Sequence, residues 1–505
     1  MAGFFMPNIE SIDREPVLDH CGVVGLLSIQ PMELFTTGLA GLKALQTRGQ
    51  DGAGFCALTS EGSIVNYKAE GMIRDVFSAK VVEKFRGTQA RIFGYQTRYG
   101  TNGAFHPENT QPFGAQHELT GESFFVAHNG EFSTKPGDTD TQTSDTAKFV
   151  RTLARTPGDT WETRIREALS SEHGAWSLII GTRDALFLSR DPRGIRPLSF
   201  GFYTHAATGV TVWAAASETA ALRAMGVKTF YDVKPGEILR IDADGVHPHE
   251  GNNEISGADV RLAACTFEGI YIQDGYSLLH QPRTGRDTET VPTVDAFREA
   301  CGRILAQETP ISPDEVDFAI GIPGTGITGG EAYAEALGIP YFQAITDHIS
   351  DNNPRTFIMA DLERILQAVL EHFDFDADAL KEKRVVLIDD SIVRGNIMTG
   401  LVRLLKEKCG VLSTHIRVLC PMIDKGCHLG LNTRNQVQLI AFREEDDVER
   451  IRQVLGADSL AYLSPDGLKR AFGKKTDEYC YGCMVGHHPP IDRTGNAKEQ
   501  GVIFE

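Results

Sequence analysis

No apolar run in this 505-residue chain approaches the roughly 20 residues that a helix needs to cross a bilayer. Met1 to His20 also lacks the charged start and apolar middle of a secretory signal, so residence in the cytoplasm is the default expectation. Positive charge is in short supply. Against 68 Asp and Glu stand only 50 Lys and Arg, a formal net charge of −18, which argues against a nucleic-acid partner and against an anionic membrane surface. Any anionic substrate must then be met by local cationic or backbone sites. Cysteines are few and odd in number, nine, so in a reducing compartment they read as nucleophile, metal ligands and buried small residues rather than as disulfides. The remainder, 41% hydrophobic and 23% charged, is that of a globular protein too long for one core, with about two to four domains expected.

What is present is concentrated in a few stretches. Val385 to Ile388 are four consecutive apolar residues, the pattern of a strand buried on both faces, and in α/β sheets ligands sit at the carboxyl end of such strands. Asp389 and Asp390 stand at that end. They are too costly to bury unpaired, so they are expected in a crevice with ribose hydroxyls or a hydrated metal ion as partners. Gly395 then opens a helix of the Ile397, Leu401, Leu404, Leu405 pattern, whose first backbone N–H groups face the crevice as an anion site. Carboxylates for a sugar beside amides for a phosphate point to a sugar phosphate. Upstream, Phe318 to Ile322 reads as a strand running into Pro323-Gly324-Thr325-Gly326, a turn of the kind that cradles anions, with a helix from Thr328 to Ala336 after it. This alternation is that of a parallel sheet.

The run from Val385 to Gly395 resembles the phosphoribosyl pyrophosphate loop of type I phosphoribosyltransferases. The resemblance implies that Asp389 and Asp390 bind the ribose and Mg2+, with Thr325 also at the metal, and that Arg394, Gly395 and Thr399 meet the substrate's phosphate. The chain departs from the family pattern in three places. Gly324 replaces an acid, Asn396-Ile397-Met398 replaces a run of hydroxyl residues, and Thr346 to Asn353 is acidic where the family carries a lid with Lys, Asn and Arg.

In the first half, Cys21-Gly22-Val23-Val24-Gly25-Leu26-Leu27 begins a strand with a cysteine as its first residue. Alone, such a cysteine is most often a small buried residue. Four later stretches change that reading: Arg48 to Gly54, Thr97-Arg98-Tyr99-Gly100-Thr101, His128-Asn129-Gly130-Glu131 and Ser144-Asp145-Thr146. Each is weak by itself, since Asn-Gly is usually a hairpin turn. In this order, downstream of one cysteine, they resemble the glutaminase domain of class II amidotransferases. The resemblance implies an N-terminal-nucleophile hydrolase, an αββα sandwich, with Cys21 as nucleophile and its own α-amine as base. Arg98 would bind the glutamine α-carboxylate, Asp145 its α-ammonium, and Asn129 with the Gly130 N–H would form the oxyanion hole. Because an acylated nitrogen is no base, Met1 to His20 is expected to be a leader removed before Cys21. Thr47 and Gln96 stand where that family usually has histidines. Beyond these motifs, β-rich runs at Trp176 to Ile180, Ala185 to Ser189, Val210 to Ala216 and Glu237 to Ile241 fit a layered sandwich. Arg190 to Leu198 reads as a charged loop tied by internal ion pairs or as a family signature, with no catalytic role.

Cys265, Cys427, Cys480 and Cys483 align with four thiolates that hold a 4Fe-4S cluster in one branch of the family. Zinc is the alternative occupant, since a set of four soft thiolates suits both. Cys56, Cys301, Cys409 and Cys420 lie in or beside apolar runs and read as core, and His487-His488 as a polar tail.

Together the two halves resemble the glutamine amidophosphoribosyltransferase family. The expected organisation is a leader (1–20), a glutaminase domain (21–250), a polar boundary at Gly251 to Asp259, and a parallel-sheet phosphoribosyltransferase domain with a cysteine segment at its end (260–505). The expected substrates are glutamine and phosphoribosyl pyrophosphate, and the expected assembly is a homo-oligomer. Two alternatives remain at this point: a paralogue that sends glutamine-derived ammonia to another acceptor, and a non-catalytic regulatory or scaffold protein.

Overall fold

A computed structural model describes residues 21–99, 107–133, 140, 142–248, 261–281, 290–347, 369–370, 373–427, 429–431, 433, 435–473 and 476–489. The expected leader, the polar boundary and most of the acidic stretch after Asp347 lie outside the described residues.

Strand Gly22–Glu33 opens with seven buried residues in succession, which only an interior strand covered on both faces accommodates. It lies in the middle of a seven-stranded sheet in the order Phe230–Asp232, Ser199–Thr204, Thr211–Ala216, Gly22–Glu33, Gln89–Arg98, Gly52–Leu58, Ile64–Glu70. A second sheet has the order Gly245–Pro248, Ile238–Asp242, Leu186–Arg190, Gly174–Gly181, Ser123–Phe132, Phe113–Gln116. Apolar residues of both, among them Val23, Leu27, Ile92, Phe125, Ile179 and Leu188, form the layer between the sheets. Close approach depends on glycine here. A Cβ at Gly94 or at Gly181 would lie 2.2 Å from the Phe125 ring, so the ring fills the space that both glycines leave. Helices cover the outer faces, with Phe35–Lys43 and Thr219–Ala224 on the first sheet and Asp145–Arg155 and Trp161–Ser170 on the second. The result is the expected αββα sandwich.

Beyond it, Phe318–Gly321, Arg384–Asp389, Ser413–Val418 and Ser459–Tyr462 make a four-stranded sheet, parallel throughout. Val385 to Ile388 are all wholly buried, as their run of four apolar residues requires. The helix after the Gly-rich turn spans Gly326–Leu337 and ends in a left-handed Gly338, which offers the carbonyls of the last turn a C-cap. Helix Asn396–Glu407 follows the central strand. A separate two-stranded parallel ladder pairs Ala264 with Tyr479 and Cys265 with Cys480, joining the start of this half to its end. Between that ladder and helix Val294–Glu308 lies a short π-helical turn, Glu268–Ile272. Among the described residues no helix is long and apolar enough to cross a membrane.

Candidate active sites

Cys21 immediately precedes the strand in which Gly22 pairs with Thr97, so Cys21 and Arg98 come to the same end of the first sheet. Arg98 is buried, and its carbonyl accepts from the Asp51 N–H at 3.0 Å. The Arg48-Gly49 turn folds directly over it: a Cβ at Gly49 would be 2.7 Å from the Arg98 backbone.

Asn129 and Gly130 are not a hairpin turn. They sit inside strand Ser123–Phe132, opposite Ser177 and Trp176. Gly130 has φ +136°, and a Cβ there would be 2.1 Å from the Ala175 carbonyl oxygen, so only glycine fits. Asn129 is wholly buried, and both polar atoms of its amide lack a partner among the described residues. Leaving a buried amide unpaired costs about 1–3 kcal/mol, which marks a group held ready for a ligand rather than a packing residue.

Asp145 is placed by its neighbour. Ser144 caps helix Asp145–Arg155 by accepting from the Ala147 N–H at 3.2 Å, which puts Asp145 in the first turn at the positive end of the helix. Its carboxylate accepts from the Phe132 N–H at 2.8 Å and the Thr146 N–H at 2.7 Å. Beside it, His128 Nδ1 is 2.9 Å from Thr146 Oγ1 and 3.9 Å from Asp145 Oδ2. Burial lowers the His128 pKa to about 4 despite the pull of Asp145, so this imidazole is neutral near pH 7. Gln96 donates to the His128 carbonyl at 2.9 Å, so the residue that replaces a family histidine still ties this strand to the first sheet.

Sequence reasoning gave Arg48, Glu218, Glu268 and Arg196 no chemical role, yet they form one buried network. Arg48 Nε donates to the Cys21 carbonyl at 3.2 Å. Its two Nη atoms reach Glu218 at 2.6 Å and both oxygens of Glu268 at 3.0 Å. Arg196 donates to Glu268 at 3.2 Å and to the Leu429 carbonyl at 2.8 Å. Burial opposes the Glu268 charge, but Arg48 and then Arg196 hold its pKa below the ordinary carboxylate value, whereas burial pushes Glu218 up against Arg48. The Arg190 to Leu198 loop is tied differently from the expected internal ion pairs. Asp191 accepts the backbone N–H groups of Arg193, Ile195 and Arg196, and Arg190 donates to three backbone carbonyls.

At the carboxyl end of the parallel sheet, Thr325 donates its hydroxyl to Asp390, and Ser391 does so at 2.5 Å. Asp389 accepts from the Asp390 N–H at 2.9 Å. Burial and the adjacent Asp390 raise the Asp389 pKa well above its ordinary value. Gly395 has φ +82°, and a Cβ on it would meet Ile440 at 2.5 Å. Arg394 donates to Gln438. The Thr399 hydroxyl donates back to the Gly395 carbonyl at 2.8 Å, because a threonine in a first helical turn finds that acceptor nearby. Gly324, where the family has an acid, faces open space at φ +94°.

Cys265, Cys427 and Cys483 are buried and Cys480 half-buried. Burial pushes the Cys265 thiol up to about 12 against the pull of Arg196, and neighbouring cysteines raise Cys265, Cys480 and Cys483 further. Among the described residues no three His, Cys, Asp or Glu side chains are close enough to hold one metal ion. The ring of His488 packs on Gly482, where a Cβ would meet it at 2.3 Å. Cys56, Cys301, Cys409 and Cys420 are buried in the core as expected.

No protein-family profile matches the chain. It is 33% identical over 501 residues to the chloroplastic amidophosphoribosyltransferase 1 of Arabidopsis thaliana, a match covering 97% of this chain and 82% of the plant protein. The chain belongs to the amidophosphoribosyltransferase family. Amidophosphoribosyltransferase from Bacillus subtilis is 31% identical over 484 residues, covering 93% of this chain and 94% of the bacterial one. The solved glutamine phosphoribosylpyrophosphate amidotransferase of B. subtilis, in complex with ADP and GMP, superposes with a TM-score of 0.78 at 29% identity, over 94% of this chain and 98% of that one. As an amidophosphoribosyltransferase this chain is an enzyme, with a two-domain fold shared over nearly its whole length.

Proposed function

We propose that the chain converts phosphoribosyl pyrophosphate, glutamine and water into 5-phosphoribosylamine, glutamate and pyrophosphate, the first step of purine biosynthesis, and that it does so in the cytoplasm. The two tasks divide between residues 21–250 and 260–505. The Cys21 thiolate attacks the glutamine carboxamide, and its α-amine, exposed by loss of the leader, takes and returns the proton. Arg98 grips the α-carboxylate through a planar fork, Asp145 accepts the α-ammonium, and neutral His128 leaves that negative charge uncancelled. The developing oxyanion is received by the Asn129 amide and the Gly130 N–H. One observation carries this half: the Asn129 amide is buried without a partner among the described residues, beside a glycine that no other residue could replace.

Ammonia would pass within the protein to the second site, since ammonium is no nucleophile. There Asp389 and Asp390 hold the ribose, and Arg394, Gly395 and Thr399 line the phosphate site, where the anion meets the backbone N–H groups that open the helix. Thr325, Asp389 and Asp390 would also hold Mg2+, which when bound offsets the charge of the departing pyrophosphate. Two adjacent carboxylates with a threonine hydroxyl against one of them are an all-oxygen donor set of the kind that suits a hydrated Mg2+. Cys265, Cys427, Cys480 and Cys483 would hold a 4Fe-4S cluster, with zinc as the less favoured occupant. Three buried thiols and a half-buried one, with the Arg196 guanidinium near Cys265 and Cys427, suit a group that takes them as thiolates. Such a site ties the end of the chain to its domain junction.

The test is glutamine-dependent pyrophosphate release by anaerobically purified, leader-processed protein with Mg2+ and phosphoribosyl pyrophosphate. Release should need both substrates and vanish in Asp390→Ala. Glutamate formation without pyrophosphate would overturn the acceptor.

A further inference from the structure

Glu268 lies three residues beyond Cys265, at the start of the π-helical turn, and no part of it reaches solvent. Turns of this kind are rare and concentrate at functional sites. Its two oxygens are shared between two arginines that lead in opposite directions. Arg48 takes both, at 3.0 Å each, and with its remaining Nε holds the Cys21 carbonyl at 3.2 Å. Arg196 takes one, at 3.2 Å, and with its other Nη holds the Leu429 carbonyl at 2.8 Å, two residues beyond Cys427. The fit at that end is tight, because a Cβ on Gly430 would stand 2.3 Å from the Arg196 guanidinium. Two of the four cysteines therefore bear on Glu268 by separate routes, Cys265 through the chain and Cys427 through Arg196.

A buried network of this kind is seldom more stable than an apolar packing of the same volume, so stability alone does not explain it. What it does supply is geometry. The paired forks leave no slack between the Leu429 carbonyl and the Cys21 carbonyl. We propose that Glu268 is a positioning residue for the nucleophile, fixing the Cys21 carbonyl through Arg48, and that through Arg196 it makes this position depend on whether the four-cysteine site is loaded. The inference rests on Cys21 and the four cysteines having the roles proposed above.

The experiment uses full-length, leader-processed protein purified without oxygen. Its readouts are the rate at which iodoacetamide alkylates Cys21, followed by mass, kcat and KM for glutamine hydrolysis, ammonia-dependent pyrophosphate release, and the visible absorbance of the cluster. In Glu268→Gln, alkylation and glutamine kcat should fall together by about ten- to a hundredfold, the loss expected from a nucleophile misplaced by a fraction of an ångström. KM for glutamine and ammonia-dependent release should stay close to wild type, and Glu268→Asp should recover part of the alkylation rate. Chelation should slow alkylation in the wild type and have no further effect in Glu268→Gln. Wild-type alkylation in Glu268→Gln would sink the proposal, as would loss of ammonia-dependent release in step with it, the mark of a merely structural role. If Glu268→Gln does not fold, Arg196→Gln keeps the Arg48 pair. It should alkylate at the wild-type rate when loaded but no longer respond to chelation, and a wild-type response would overturn the relay. A wild type inert toward glutamine whose alkylation still depends on Glu268 would instead refute the proposed reaction and leave this inference standing.

Discussion

Arg48 and Glu268 meet fork to fork, Nη1 to Oε2 and Nη2 to Oε1, both at 3.0 Å, with neither side chain exposed to water. Deleting the acid removes a carboxylate that two buried guanidiniums share, Arg196 and Arg48, the second of which keeps only Glu218 as counter-ion. Glu268→Ala should therefore destabilise the protein by about 3–5 kcal/mol, read from urea denaturation near neutral pH. A loss below about 1 kcal/mol would mean that water or a neighbour repairs the site.

Asn129 should behave in the opposite way. Its buried amide has no partner to lose among the described residues, so Asn129→Ala should leave stability unchanged or slightly raised while lowering glutamine-dependent kcat by about 10²–10³. Ammonia-dependent turnover, which does not need an oxyanion hole, should persist. A stability loss as large as the activity loss would show that the amide is structural.

The acceptor half should fail separately. Gly395 adopts φ +82° against Ile440, so Gly395→Ala should strain the turn by about 1–3 kcal/mol and weaken phosphoribosyl pyrophosphate binding. Asp390→Asn should abolish pyrophosphate release with either nitrogen source yet leave basal glutamine hydrolysis intact. Retained release in Asp390→Asn would remove this residue from the site.

Acid should weaken the fold in a defined window. Burial lowers His128 to about 4 in the native state, while the unfolded chain binds that proton near 6.5. The unfolded state thus gains protons first: there is no penalty above pH 6.5, and stability is lost as pH falls from there toward 4. At pH 5 the penalty is about 2 kcal/mol. His280, lowered to about 3 by burial and then by Arg190, adds in the same direction. In His128→Gln the urea midpoint should fall less between neutral pH and pH 5 than in the wild type. An equal fall would place the acid lability elsewhere.

What was legible in the chain was what is local. Val385 to Ile388 announce a buried strand because four apolar residues in a row have no solvent face, and the acids that follow must emerge at its end. Four short motifs in order behind Cys21, and four cysteines set apart from those in apolar runs, made the two candidate sites and the candidate cysteine site visible for the same reason. Even so, Asn129-Gly130 reads as a turn in isolation, and the Thr399 hydroxyl as a free donor. The first lies within a strand because Ser177 and Trp176 pair with it, and the second is spent on its own helix.

The sequence by itself thus determined the family the chain belongs to and which residues are candidates for its chemistry. Only the tertiary structure decided how the halves are joined. Arg48 and Glu268 are 220 positions apart, and Arg196 and Leu429 are 233 apart. No period or spacing encodes such a pairing. It exists because folding brings two charges into an interior where each is tolerable only beside the other.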